Sequence, residues 1–207
     1  MKTIVHNKKN IKMKNFIPIL IIFALSIISC KAQTVSLETL AKCQQENPPF
    51  PCPENYNYVK DINNLLNKYV GTWKGSYNEK FYEFNFTKKI NDGSSGTNVT
   101  RDRIIGRAKV INSNGTILYN TLNEPNDNDT NFFGRNFQPD LEAYMVYFVG
   151  NSACVEYGDV YLRIYPATPN QMTVYFHPDN DISVEGSCPP NFVPTIPYKT
   201  TIHLTKQ

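Results

Sequence analysis

Residues 61–77 read DINNLLNKYVGTWKGSY, and the stretch changes period halfway. Ile62, Leu65, Leu66 and Tyr69 recur at helical spacing, and Asp61 suits the start of such a helix. From Gly71 the pattern alternates every second residue, as a half-buried β-strand requires. The chain's single tryptophan, Trp73, sits at the junction. We read it as the plug at one end of an antiparallel β-barrel that a short helix introduces.

Period two continues beyond that junction. Strands are expected at 71–77, 80–89, 99–111, 116–121, 141–149, 159–165, 171–177 and 199–205. Tyr82, Phe84 and Phe86 share one face of the second strand, and Met172, Val174 and Phe176 one face of the seventh. Asn78-Glu79 is short enough for a hairpin, and Ser113-Asn114-Gly115 is a strong turn signal. Gly106, inside the third strand, marks an expected bend or bulge. Residues 122–140 and 178–198 read as long loops.

Eight strands joined mainly by short links form an up-and-down meander. Pairing the first strand with the last removes both edges. The fold class is therefore all-β, a single antiparallel up-and-down barrel preceded by a short helix. Alternate links of a meander share an end, which puts Cys154 and Cys188 together, although a Greek-key sandwich would satisfy that pairing too.

Residues 1–29 stand apart from this domain. Lys2, Lys8, Lys9, Lys12 and Lys14 make a basic start, and residues 16–28 form an apolar run of signal-peptide length, short for a membrane span. The run ends Ile27-Ile28-Ser29-Cys30. Because the leader's five lysines exceed the whole-chain charge of +3, residues 30–207 carry −2. A mildly acidic domain has no electrostatic footprint for nucleic acid. Residues 30–60 are polar and proline-rich, with one helical turn expected near 37–43, and read as a tether to the barrel domain at 61–207.

Cys30 aside, four cysteines remain, and four allow three pairings. Cys43 and Cys52 share one loop, so we expect Cys43–Cys52 and Cys154–Cys188. Chain entropy gives upper values of roughly 2.5–3 kcal/mol for the short loop and about 4 for the longer one. A four-thiol metal site lacks any C-x-x-C spacing and is disfavoured.

The Ile27–Cys30 run resembles the lipobox of bacterial lipoproteins. That resemblance implies cleavage after Ser29 and a diacylglyceryl thioether with N-acylation at Cys30. Several acyl chains hold a protein to a membrane firmly. Lys31 carries no aspartate retention mark, which by the same resemblance favours the outer membrane, facing the periplasm. Val70-Gly71-Thr72-Trp73-Lys74-Gly75, after a short helix and ahead of a meander, resembles the G-x-W signature of lipocalins and calycins. In those folds an arginine from a late strand packs across the tryptophan; Arg163 is the candidate here. The order lipobox, helix, GTW and barrel is similar to an uncharacterised family of small Gram-negative lipoproteins.

An eight-stranded barrel has a bore that side chains just fill, or that holds one small ligand. Trp73, Tyr82, Phe84, Phe86, Tyr147, Met172, Val174 and Phe176 are the candidates for lining it, with Tyr144 and Met145 beside them. Rings this large shrink the space, so a small apolar or amphipathic ligand and a filled core both stay open. Phe132, Phe133 and Phe137, in an otherwise polar loop, either tuck under the barrel or form a contact patch; tucking is favoured.

Conventional chemistry finds little support. Only His177 and His203 remain after the leader, no G-x-S-x-G elbow is present, and both read as exposed strand residues. Asp127 and Asp129 have a spacing calcium uses, but the EF-hand glycine and glutamate are missing, so a solvated turn is expected. No catalytic residue, metal or cofactor is assigned. The functional expectation is a lipid-anchored envelope protein that binds a small ligand in its barrel. The alternative is a filled barrel that holds a protein partner.

Overall fold

The computed structural model describes residues 33–93, 98–181 and 186–207. Residues 1–29, expected as a leader, and Cys30 lie outside the described residues. In chain order the elements begin with β1 (Thr34–Ser36), α1 (Leu37–Lys42) and β2 (Tyr58–Lys60). A 3₁₀ turn (Leu65–Tyr69) leads into β3 (Gly71–Tyr77), β4 (Lys80–Asp92), β5 (Thr100–Asn112) and β6 (Ile117–Asn120). Then follow β7 (Phe132–Phe137), β8 (Ala143–Val149), β9 (Tyr157–Arg163), β10 (Gln171–Pro178) and β11 (Thr201–Lys206).

Among the described residues, eight of these strands close an antiparallel barrel. The order runs β3, β4, β5, β7, β8, β9, β10, β11 and back to β3. β11 meets β3 through Leu204 opposite Gly75 and Lys206 opposite Trp73. β5 meets β7 through Ile105 opposite Phe133. The β3–β4 turn works because Asn78 and Glu79 both take positive φ, 46° and 60°, as a two-residue hairpin with right-handed strand twist needs.

One expected barrel strand is displaced. The segment expected at 116–121 folds as β6 but pairs only with β5, as a flap outside the ring. Its place is taken by β7, in the stretch expected as a loop. Burial explains the exchange: Ile117 and Leu118 stay exposed, whereas Phe132 and Phe137 are fully buried. The swap preserves the parity of the links. Cys154, between β8 and β9, and Cys188, between β10 and β11, share an end and are bonded, with Cα atoms 4.8 Å apart. Cys43 and Cys52 are bonded as well.

Two local expectations change. Asn64 takes a left-handed φ of 57°, so the helix shortens to Leu65–Tyr69 and Ile62 falls outside it, 54% exposed. Gly106 sits in regular register opposite Phe86, without bend or bulge. A Cβ there would lie 2.8 Å from the Phe86 ring and 2.9 Å from the Phe132 ring, so the glycine makes room for aromatics in the bore.

Residues 33–60 carry structure of their own. β1 pairs in parallel with β2, and β2 in parallel with the start of β5. Val35, Leu37, Ala41 and Val59 join the core. A buried carboxylate pair fastens this segment. Asp102 accepts from the Tyr58 hydroxyl (2.6 Å), the Asp61 N–H (3.0 Å) and the Asn91 N–H (2.9 Å). Asp61 accepts from the N–H groups of Leu65 and Leu66 and from Lys88 at 2.7 Å. The anticipated aspartate thus does serve the start of the short helix, satisfying donors that no helical carbonyl reaches.

Candidate functional site

Trp73 closes one end of the barrel. Gly71 enters β3 at φ +123°, a conformation glycine takes far more readily than residues with a Cβ. Two residues on, the indole is fully buried and donates from Nε1 to the Tyr69 carbonyl at 2.8 Å. Tyr69 packs on Tyr144 and Phe137, with ring centroids 5.7 and 6.3 Å away. The cation across the indole is Lys206, its Nζ 5.2 Å from the ring. Arg163 does not fill that role. It sits on the outward parity of β9, between buried Leu162 and Ile164, and pairs with Glu142.

Above this floor, aromatic rings cross the bore. Tyr82, Phe84 and Phe86 stack along β4 at 6.3 and 5.9 Å. Phe84 and Phe86 meet Phe132, which meets Phe148 at 4.9 Å. Phe148 meets Phe176 at 5.6 Å, and Phe176 meets Tyr198 at 5.4 Å. Met172 and Val174 are buried on the same side of β10. Seven of the eight lining candidates therefore point into the bore and pack there, Tyr82 being the most exposed at 2%. Tyr147 does not. β8 buries Tyr144, Val146 and Phe148, so Tyr147 and Met145 face outward. The Tyr147 hydroxyl donates to Asp179 (2.8 Å), and the Arg135 guanidinium covers its ring.

The end that carries Cys154–Cys188 is covered too. Ile196 is buried in the core cluster, and Tyr119 of the β6 flap meets Phe148 edge-on at 5.8 Å. Buried Glu156 accepts from the Thr195 N–H and from the Asn151 N–H, holding the segment around Thr195 over the opening. Lys80 donates to the Pro194 carbonyl at 2.7 Å.

A wet bore and a dry one differ in how the phenols ionise. Burial, then the neighbouring Tyr77, pushes Tyr82 up to about 12. Burial also raises Tyr69 and Tyr144 well above the ordinary value. Their folded values exceed the unfolded ones, so these groups stabilise the fold fully below the free phenol value of about 10. That contribution is lost as pH climbs through the folded values. An absorbance titration should show a first wave of accessible phenols, then a second wave coincident with unfolding by circular dichroism. One reversible wave from all thirteen tyrosines with the fold intact would mean that water enters the bore.

The outside of the barrel carries the remaining candidates. His177 and His203 are exposed and line an open groove of about 610 Å³ with Tyr161, Arg163 and Tyr175. Asp127 is bound by ion pairs and not left in a solvated turn. Lys89 and Arg107 each reach its carboxylate at 2.9 Å, and their hydrogen bonds hold its pKa below the usual range. Asp129 accepts from Asn126 instead. Among the described residues, no three metal-ligating side chains gather, and no helix is long and apolar enough to cross a membrane.

Sequence reasoning passed over an apolar row on the outer surface. Phe81 stands opposite Ile111, and Ile111 opposite Ile117, across β4, β5 and the β6 flap. Phe81 and Ile117 are 50% and 54% exposed, and Tyr77 and Leu118 lie nearby on the chain, also exposed. The alternation of β4 marks Phe81 as outward; the pairing with Ile117 required the structure.

A sequence model described as a family of unknown function (DUF6705) matches residues 13–188. The chain belongs to that family. The DUF6705 match spans the apolar run at residues 16–28, the short helix, the GTW junction and seven of the eight barrel strands, and stops before β11. No curated protein and no solved structure matches this DUF6705 chain.

Proposed function

We propose that this protein is an envelope lipoprotein whose lipocalin-like barrel serves as an interaction module and not as a carrier. In this reading the leader is removed after Ser29, Cys30 bears the lipid, and the barrel hangs from the outer membrane into the periplasm. The order of basic start, apolar run, small residue and cysteine supports the anchor. The two disulfides fit an oxidising compartment. The observation that carries the module reading is the line of rings from Phe84 through Phe132 and Phe148 to Phe176, which occupies the space a carried molecule would need. Exposed Phe81 and Ile117, on either side of half-buried Ile111, supply apolar surface for a partner, since exposed apolar patches mark contact sites.

Native mass spectrometry of residues 31–207, secreted without the lipid, tests the reading. The expected spectrum shows the bare polypeptide mass. Replacing Phe81 and Ile117 together by serine should abolish cross-links to envelope proteins while leaving the circular dichroism unchanged. A stoichiometric small-molecule adduct that disappears in Phe84→Trp would overturn the reading and restore the carrier.

A further inference from the structure

We propose that a pocket between α1 and the outer wall of the barrel binds a small organic carboxylate that carries an adjacent hydroxyl or amine donor. The pocket is lined by Leu40, Gln44, Tyr56, Arg101, Arg135, Asn136, Met145 and Asp159, with a volume of about 370 Å³. It stands apart from the bore and does not depend on whether the bore is filled.

The first observation is a bulge. Gly134 pairs with Val146 and Asn136 with Met145, so Arg135 is an extra residue in β7. A bulge re-aims the side chain beside it. Here Asn136 and Phe137 are both buried, breaking the alternation, and Asn136 belongs to the pocket lining. That side chain is only 3% exposed, yet neither its Oδ1 nor its Nδ2 has a hydrogen-bond partner. A buried amide with both ends unmet is costly, because each end has given up its bonds to water. Such a cost is common at binding sites, where the ligand supplies the missing bonds.

The second observation is Arg101. Its Nη1 donates to the Arg135 carbonyl at 2.9 Å, while its Nε is buried without a partner. The carboxylates at hand are committed elsewhere: Asp159 to Arg135 at 3.0 Å, and Asp92 to Arg103 at 2.5 Å. Burial, then the charge of Arg103, lowers the pKa of Arg101, and Arg135 adds to the effect. A half-buried guanidinium among other cations attracts an anion.

The unmet groups define the ligand. Arg101 Nε–H and Asn136 Nδ2–H offer two donors to a carboxylate. Asn136 Oδ1 accepts from a hydroxyl or amine next to that carboxylate. Leu40, Tyr56 and Met145 form apolar walls for the body of the molecule. Sulfate lacks both the donor group and the apolar part, and phosphate lacks the apolar part.

The test uses the full-length chain with both disulfides formed, the probe mandelate, and nitrogen-15 NMR of the Arg101 and Asn136 side chains. We expect saturable shifts at Arg101 Nε–H and at the Asn136 amide, with benzyl alcohol silent and phosphate and sulfate at least about tenfold weaker, the loss expected when one good polar contact is missing. Arg101→Met should weaken mandelate by about tenfold or more. Asn136→Leu should abolish the shift at Arg101 without lowering Tm, because it removes an unsatisfied amide. If Arg101→Met does not fold, the wild-type shifts and Asn136→Leu still decide the matter. Absence of a saturable shift overturns the proposal. So does equal binding of sulfate, or mandelate binding unchanged in Asn136→Leu.

Discussion

Replacing Trp73 by alanine will lower the unfolding free energy by about 3–5 kcal/mol, the range for truncating a buried large aromatic side chain. The indole is fully buried and is held by a hydrogen bond to the Tyr69 carbonyl. Its loss leaves the Tyr69 carbonyl without its donor and removes the surface on which Lys206 rests. Trp73→Phe keeps most of the apolar area but leaves that carbonyl without its donor. It should cost about 1–3 kcal/mol. Urea unfolding followed by circular dichroism measures both. If Trp73→Ala stays within about 1 kcal/mol of the parent, Trp73 is not closing the barrel.

A second large effect belongs to Asp102. Asp102→Ala should cost about 2–4 kcal/mol, since it leaves the buried Asp61 N–H unmet and takes the acceptor from the part-buried Tyr58 hydroxyl and the Asn91 N–H. The loss should be local at first. Amide exchange should quicken through β2 and the turn at Leu65–Tyr69 before the rest of the barrel responds. Alkaline behaviour gives an independent check. Burial, then the hydrogen bond to Asp102, pushes the Tyr58 phenol up to about 12. The folded value is the higher one, so the bond contributes fully below the free value of about 10 and is lost as pH rises through 12. Asp102→Ala should flatten that part of the stability curve. An unchanged alkaline limb together with unchanged exchange would show that the segment is held by other contacts.

Much of the fold was readable because strand period and ring size agree. Tyr82, Phe84 and Phe86 alternate with polar residues, so their burial followed from parity. The same held for Met172, Val174 and Phe176. The seam between the first and last barrel strands followed from the need to remove edges. β7 was hidden because its bulge breaks the alternation: Gly134, Arg135 and Asn136 read as loop, while the structure uses Phe132 and Phe137 as core. β8 misled in the opposite way. It is apolar on both faces, and nothing in its sequence said that Tyr147 faces out. The pocket at Asn136 was beyond sequence reasoning, for an asparagine in a polar stretch reveals neither its burial nor its missing partners. Arg101 was equally silent, because its isolation from carboxylates arises from pairings between distant residues.

The joint between β3 and β11 also imposes a timetable. Gly75 and Leu204 touch, so the ring cannot shut until residue 206 has been delivered by whatever makes or threads the chain. Contacts between residues this far apart are the slow ones, because the entropy of the long intervening loop is lost first. A chain halted before residue 201 would leave β3 and β10 each with a bare edge, the form most apt to pair with its neighbours. Solubility of the folding chain therefore depends on how soon its final strand arrives as well as on the stability of the finished ring.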